Sequence, residues 1–236
     1  MFEVRNIAFT YGRRLVLRDV SFVVSPGEAV SVVGANGAGK TTLLKVLATL
    51  AVPDSGLVLA DGRNALANAA EYRRQLGYMP EKPALYDDMT VKEYLVYRAR
   101  LKGEPPKRIR RRVGEAAELC LLSDVMKRPI RWLSNGTRKR VALADALLLR
   151  PRVLLLDDFL AGLDSAMRDA AGEVLSNAAA FSSVVVTGHE VEALARWTTR
   201  FLVLRDGVVS SVVDTAGARP EDLRVRVDAA LGGGVQ

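Results

Sequence analysis

Several things are scarce in this chain, and each scarcity removes a class of explanation. Cys120 is the one cysteine among 236 residues, so no internal disulfide can form, which fits a reducing compartment. Long apolar runs are absent as well. Stretches such as "ALLLRPRVLLL" are broken by charge well short of the roughly 18 residues a membrane-spanning helix needs. The opening "MFEVRNIAFTYG" places Glu3 and Arg5 where a secretion signal needs a continuous apolar core, so a cytoplasmic location is expected. No repeat at solenoid or propeller period occurs, and low complexity is confined to the tail "LGGGVQ".

What is present suits a folded α/β protein with an anionic partner. Hydrophobic residues make up 49% of the chain, enough for a sizeable core, and the formal net charge is +7. Nucleotide, nucleic acid and lipid headgroups all satisfy that charge. Short β-branched runs, "AVSVVG", "RVLLLDD" and "SSVVVTGH", alternate with longer segments of helical spacing, the pattern of a parallel sheet covered on both faces. The first 28 residues and "SGLVLADGRN" alternate apolar and polar positions and suit a smaller antiparallel sheet at the edge. Residues 87–149 carry almost no strand signal and, apart from the break "KGEPPK", are expected to form a helical insertion. Within it, "KRIRRRVGEAAELCLL" puts Ile109, Val113, Ala116 and Cys120 on one helical face and Arg108, Arg110, Arg111 and Arg112 largely on the others. A charge run of this kind is usually a solvated face, so it does not by itself indicate nucleic acid.

The strongest signal is "GANGAGKTT", residues 34–42, between a β-branched run and the helical "TLLKVLATL". Gly34, Gly39, Lys40 and Thr41 fit the spacing of a phosphate-binding loop. Glycines let successive N–H groups turn inward toward phosphate oxygens, the following helix aims its positive end at the same anion, Lys40 adds a charge, and the Thr41 hydroxyl can ligate Mg²⁺. Such a metal calls for an acid at the same edge of the sheet. "RVLLLDDFLAGLD" supplies Asp157 at a strand end, and Asp158 one residue further is placed to act as general base for an attacking water. His189 after "VVVTG" and Glu81 after "LGYMP" end two further apolar runs. In "RWLSNGTRKRVALADALLL", Ser134 reads as a helix N-cap, with Asn135, Gly136 and Thr137 opening the helix. Exposed N–H groups there would form a second anion site on one chain, and this suggests a site completed by another subunit.

Taken together these motifs resemble the nucleotide-binding subunit of an ATP-binding cassette (ABC) transporter, over about residues 2–215 and in the family's order. The resemblance identifies "GANGAGKTT" as Walker A, "GYMPE" as the glutamine loop, "LSNGT" as the signature, "VLLLDD" as Walker B, "AGLD" as the D-loop and "TGH" as the switch histidine. It implies a P-loop NTPase core with a mainly parallel sheet, an antiparallel β-subdomain at the edge and an inserted helical subdomain, all within residues 1–215, followed by a short extension, 216–236. It places Tyr11 against adenine. Gly34, Asn36, Gly37, Ala38, Gly39, Lys40, Thr41 and Thr42 would surround the ATP phosphates, Thr41, Glu81 and Asp157 would hold Mg²⁺, and Asp158, His189 and Glu81 would serve the reaction. Two chains, a homodimer before a heterodimer, would pack head to tail, with Ser134 and Gly136 of one facing the ATP of the other. A separate transmembrane permease would dock on the helical insertion after Glu81, at the cytoplasmic face of the membrane, and "GYMPEKPALYDDMTVKEYL" looks most like the ATPases of ABC-2 type exporters.

Four positions depart from the pattern. Glu81 replaces glutamine, Asn135 replaces the first signature glycine, Phe159 stands where proline is common, and Asp158 occupies the place of the catalytic glutamate. Aspartate is one methylene shorter and would hold water about 1 Å further away, a misplacement that can cost about 10²-fold in rate. The chain is then either a slow ATPase, the reading adopted, or a weakly hydrolysing ATP-binding subunit beside a more active one. An ABC ATPase acting on DNA or ribosomes is the rival from another class. Those proteins carry long coiled coils between Walker A and the signature, or two cassettes in one chain, and neither feature is present, so no nucleic-acid partner is expected.

Overall fold

A computed structural model describes residues 1–163 and 165–232. Asp164, the last residue of "AGLD", lies outside the described residues, as do 233–236. Two sheets organise the chain. The larger has six strands in the order β10-β9-β3-β8-β7-β6, with β3 (Ala29–Val33), β6 (Leu76–Met79), β7 (Val153–Leu156), β8 (Ser183–Gly188) and β9 (Arg200–Arg205) parallel and β10 (Val208–Asp214) antiparallel at one edge. The smaller is antiparallel throughout, in the order β2-β1-β4-β5, from β1 (Phe2–Tyr11), β2 (Arg14–Val24), β4 (Ser55–Ala60) and β5 (Arg63–Asn64).

The central strands are apolar at nearly every position because both faces of the large sheet are covered. Side-chain alternation sorts them into two cores. Val30, Val32, Val153, Leu155 and Val185 join the small sheet and helix α1 (Lys40–Leu47). Ala29, Val33, Leu154, Leu156, Val184 and Val186 face the opposite way, toward α5 (Asn135–Leu147), α6 (Ser165–Ala179) and the helical insertion.

That insertion contains α3 (Val91–Leu101) and α4 (Pro106–Leu119), divided at "KGEPPK" as the prolines require. Thr90 and Glu93 form a reciprocal capping box at the start of α3. On α4, Ile109, Val113 and Ala116 are buried with the adjoining Cys120, while Arg108, Arg110 and Arg111 face solvent. Asp145 of α5 ties the insertion to the rest, since Arg98 and Lys102 of α3 each approach its carboxylate, at 2.9 and 2.8 Å.

Five elements lay outside the expectations from sequence, among them the strands β9 and β10 that complete one side of the large sheet. A short α2 (Ala69–Arg74) precedes β6, α7 (Val191–Leu194) follows β8, and residues 220–230, expected only as an extension, fold as α8 (Pro220–Ala230). Helix α8 buries Leu223 and Val227 in the same core as the sheet, because it docks on α7 and β10. No helix among the described residues is long and apolar enough to cross a membrane.

Candidate nucleotide site

Four adjacent parallel strands, β3, β8, β7 and β6, run out at one edge of the large sheet, and the residues that follow them surround a cavity of about 430 Å³. The edge beyond the carboxyl ends of parallel strands is where α/β proteins place ligands. Lys40, Thr41, Asp157, Asp158, His189 and Glu81 all line it, together with Tyr11, Asn36, Gly37, Gly39 and Thr42. Of the other loop residues, Gly34 lies behind the cavity against β9, where an added Cβ would stand 2.3 Å from the Leu204 carbonyl oxygen. Ala38 lines a neighbouring crevice.

The loop 34–39 takes its shape from its glycines. Gly37 and Gly39 have φ of 83° and 106°, conformations L side chains rarely adopt, and a Cβ on Gly39 would also stand 2.9 Å from Leu17. The chain enters α1 with no acidic residue in the first turn, so its N–H groups and dipole face the cavity without local competition. The Lys40 ammonium crosses the loop and donates to the carbonyls of Gly34 at 2.7 Å and Ala35 at 3.0 Å. Burial pushes its pKa down, and the carboxylates of Asp158 and Asp157 pull the other way.

Asp157 extends β7 by one backbone bond, donating to the Met79 carbonyl at 2.9 Å, which fixes its carboxylate at the sheet edge. It is 2% exposed and accepts from the hydroxyls of Thr187 at 2.7 Å and Thr41 at 3.2 Å. A carboxylate buried with only hydroxyl donors calls for a cation. Among the described residues the oxygens at hand are too few to cage a metal unaided and match the way Mg²⁺ is held, by one or two protein groups plus substrate phosphates. The residues present therefore fit the metal.

At Asp158 the chain turns sharply, with φ at 43°, a left-handed conformation that aspartate tolerates better than most residues. Its N–H donates to the Thr187 hydroxyl at 2.9 Å, so Thr187 fixes both aspartates at once. Sequence reasoning missed this threonine, although it stands in the quoted "TGH". His189 is mostly exposed, with Nδ1 3.6 Å from an Asp158 carboxylate oxygen, too far for a hydrogen bond. Tyr11 is half exposed, and its ring forms a T-shaped pair with that of Phe9, centroids 4.7 Å apart. Arg14 also lines the cavity and was not anticipated.

Ser134 and Gly136 do not line this cavity. They stand at the start of α5, where the Ser134 hydroxyl accepts from the Thr137 N–H at 3.3 Å as an N-cap.

The ABC transporter family profile matches residues 17–161, from β2 through the phosphate loop, signature and Walker B. The chain belongs to the ABC transporter ATP-binding family. It is 30% identical over 210 residues to the ABC transporter ATP-binding protein YxlF of Bacillus subtilis, covering 89% of this chain and 70% of that one. It is 36% identical to the sulfate/thiosulfate import ATP-binding protein CysA of Rhodopseudomonas palustris, covering 89% of this chain and 62% of CysA. Nod factor export ATP-binding protein I of Burkholderia orbicola is 35% identical, with 87% and 68% covered. A bacterial ABC transporter cassette solved as a dimer superposes with a TM-score of 0.83 at 26% identity, covering 92% of this ABC ATPase chain and 100% of the other. The family's nucleotide is ATP. Import and export both occur among these relatives, so membership leaves the direction of transport open.

Proposed function

We propose that the chain is the hydrolysing subunit of an ABC exporter, acting as a homodimer beneath a separate transmembrane permease at the cytoplasmic face of the membrane. The observation that carries this reading is the convergence of Lys40, Thr41, Asp157, Asp158 and His189 at the ends of neighbouring strands around one cavity.

In this reading Tyr11, half exposed at the cavity, stacks on adenine, and the loop amides with Lys40 hold the phosphates. Thr41, Asp157 and Glu81 would hold Mg²⁺, which neutralises charge on the phosphate oxygens. Asp158 accepts a proton from the attacking water, and His189 at the cavity mouth contacts the terminal phosphate. Ser134 and Gly136 do not line their own chain's cavity, and in this reading they meet the nucleotide of a second copy packed head to tail. A similar cassette solved as a dimer supports the pairing of two copies. Export rests on the stretch "GYMPEKPALYDDMTVKEYL" alone.

Sedimentation of Asp158→Asn with and without Mg-ATP tests the assembly. A shift from monomer to dimer on adding ATP, lost with Ser134→Ala, is the expected result. A chain that stays monomeric at saturating ATP would contradict it, and salt-sensitive co-purification with ribosomes or DNA would favour the rival reading.

A further inference from the structure

Lys139 lies on α5, five residues after the Ser134 cap, and belongs to no role assigned above. Its ammonium is folded inward. It donates to the backbone carbonyls of Asp158 at 3.3 Å and Phe159 at 3.5 Å, and to that of Ala161. Three carbonyls from one short loop thus converge on one cation, and a half-buried cation needs such partners to offset its lost hydration. Burial pushes the pKa of Lys139 down, while the carboxylates of Asp158, Glu81 and Glu190 oppose the shift.

The gripped loop is the one that begins with the left-handed Asp158. Its backbone is held on both sides, with the N–H on Thr187 and the carbonyl on Lys139 and on the Ala161 N–H at 3.2 Å. Without the cation the three carbonyls would lose a shared donor, and the turn would be free to relax toward commoner dihedrals. The Asp158 carboxylate would move with it.

We propose that Lys139 is a positioning residue for hydrolysis: it clamps the loop 158–161 onto the signature helix and so holds the Asp158 carboxylate at the cavity. The inference rests on the reading of Asp158 as the base. It also gives α5 two ends of one task, since the helix whose start faces a second copy's nucleotide grips the hydrolytic turn of its own chain.

The test uses the full chain with Lys139→Met and Lys139→Arg, measuring hydrogen exchange across residues 158–163, steady-state ATPase and Tm. Lys139→Met is expected to speed exchange of the Ala161 and Leu163 amides about 10-fold or more. It should lower kcat by about 10- to 100-fold while KM moves by less than about threefold, because only the geometry at Asp158 is lost. Lys139→Arg keeps the charge and donors and should restore both readouts to near the parent. Lys139→Leu, which likewise offers no donor, takes the place of methionine if that chain does not fold. Parent-like exchange in the methionine or leucine chain overturns the clamp, and faster exchange with kcat within about twofold of the parent overturns its part in hydrolysis. A parent no faster than Asp158→Asn would instead defeat the base reading, with exchange alone then deciding the clamp.

Discussion

Replacing Asp158 by glutamate sets two effects of the same residue against each other. Residue 158 sits at φ 43°, where L residues with a longer side chain are strained by about 1–2 kcal/mol and aspartate is better tolerated. If glutamate forfeits about 1 kcal/mol of that tolerance, Tm should fall by about 2–4 °C for a chain of this size. The added methylene carries the carboxylate about 1 Å deeper into the cavity, which recovers up to about 10²-fold in rate, equivalent to about 2.7 kcal/mol of barrier. Asp158→Glu is therefore expected to be a faster and less stable enzyme. Steady-state phosphate release and thermal melts on parent, Asp158→Glu and Asp158→Asn decide the matter. Asp158→Asn should lose about 10²-fold or more of the parent rate. A parent no faster than Asp158→Asn would show that Asp158 is not the base, and a slower Asp158→Glu would show that the left-handed turn is built for the shorter acid.

Two further substitutions probe the scaffold. Asp145→Ala leaves Arg98 and Lys102 partly buried without their counter-ion, and the low end of the range for broken buried pairs applies because Arg98 is one-third exposed. A loss of about 3 kcal/mol is expected, visible in chemical denaturation as a lower midpoint at unchanged slope. Gly34→Ala drives a methyl group to 2.3 Å from the Leu204 carbonyl, so the loop must part from β9. Nucleotide affinity should then fall by about 10-fold or more, and parent-like affinity would show that this close approach is dispensable.

The residues proposed to bind phosphate were legible in the sequence because local rules govern them. Glycines at 34, 37 and 39 answer to backbone geometry within a few residues, and the runs that became β3, β7 and β8 are apolar because both faces are covered. The antiparallel sheet was equally readable from its alternation. Helix α8 was not, since "LRVRV" is rich in β-branched residues and its helical form depends on docking Leu223 and Val227 against α7 and β10. The left-handed turn at Asp158, its bond to Thr187 and the reach of Lys139 all join positions distant in the chain. No periodicity or motif encodes such contacts. Ser134 and Gly136 illustrate the reverse case, where a motif is plain in the sequence but stands away from the cavity of its own chain.

The claim that the loop beside β3 is a nucleotide site is tested most directly by calorimetric titration of Mg-ATP into the parent and into Lys40→Met. Burial disfavours the charged Lys40, whose lowered pKa marks a cost to the folded state below that pKa, relieved as pH rises toward the ordinary lysine value. Methionine removes the buried charge together with its hydrogen bonds to the Gly34 and Ala35 carbonyls, so the deciding readout is binding, which should weaken about 10²-fold in a variant that still folds. Undiminished ATP binding by a folded Lys40→Met chain would contradict the account.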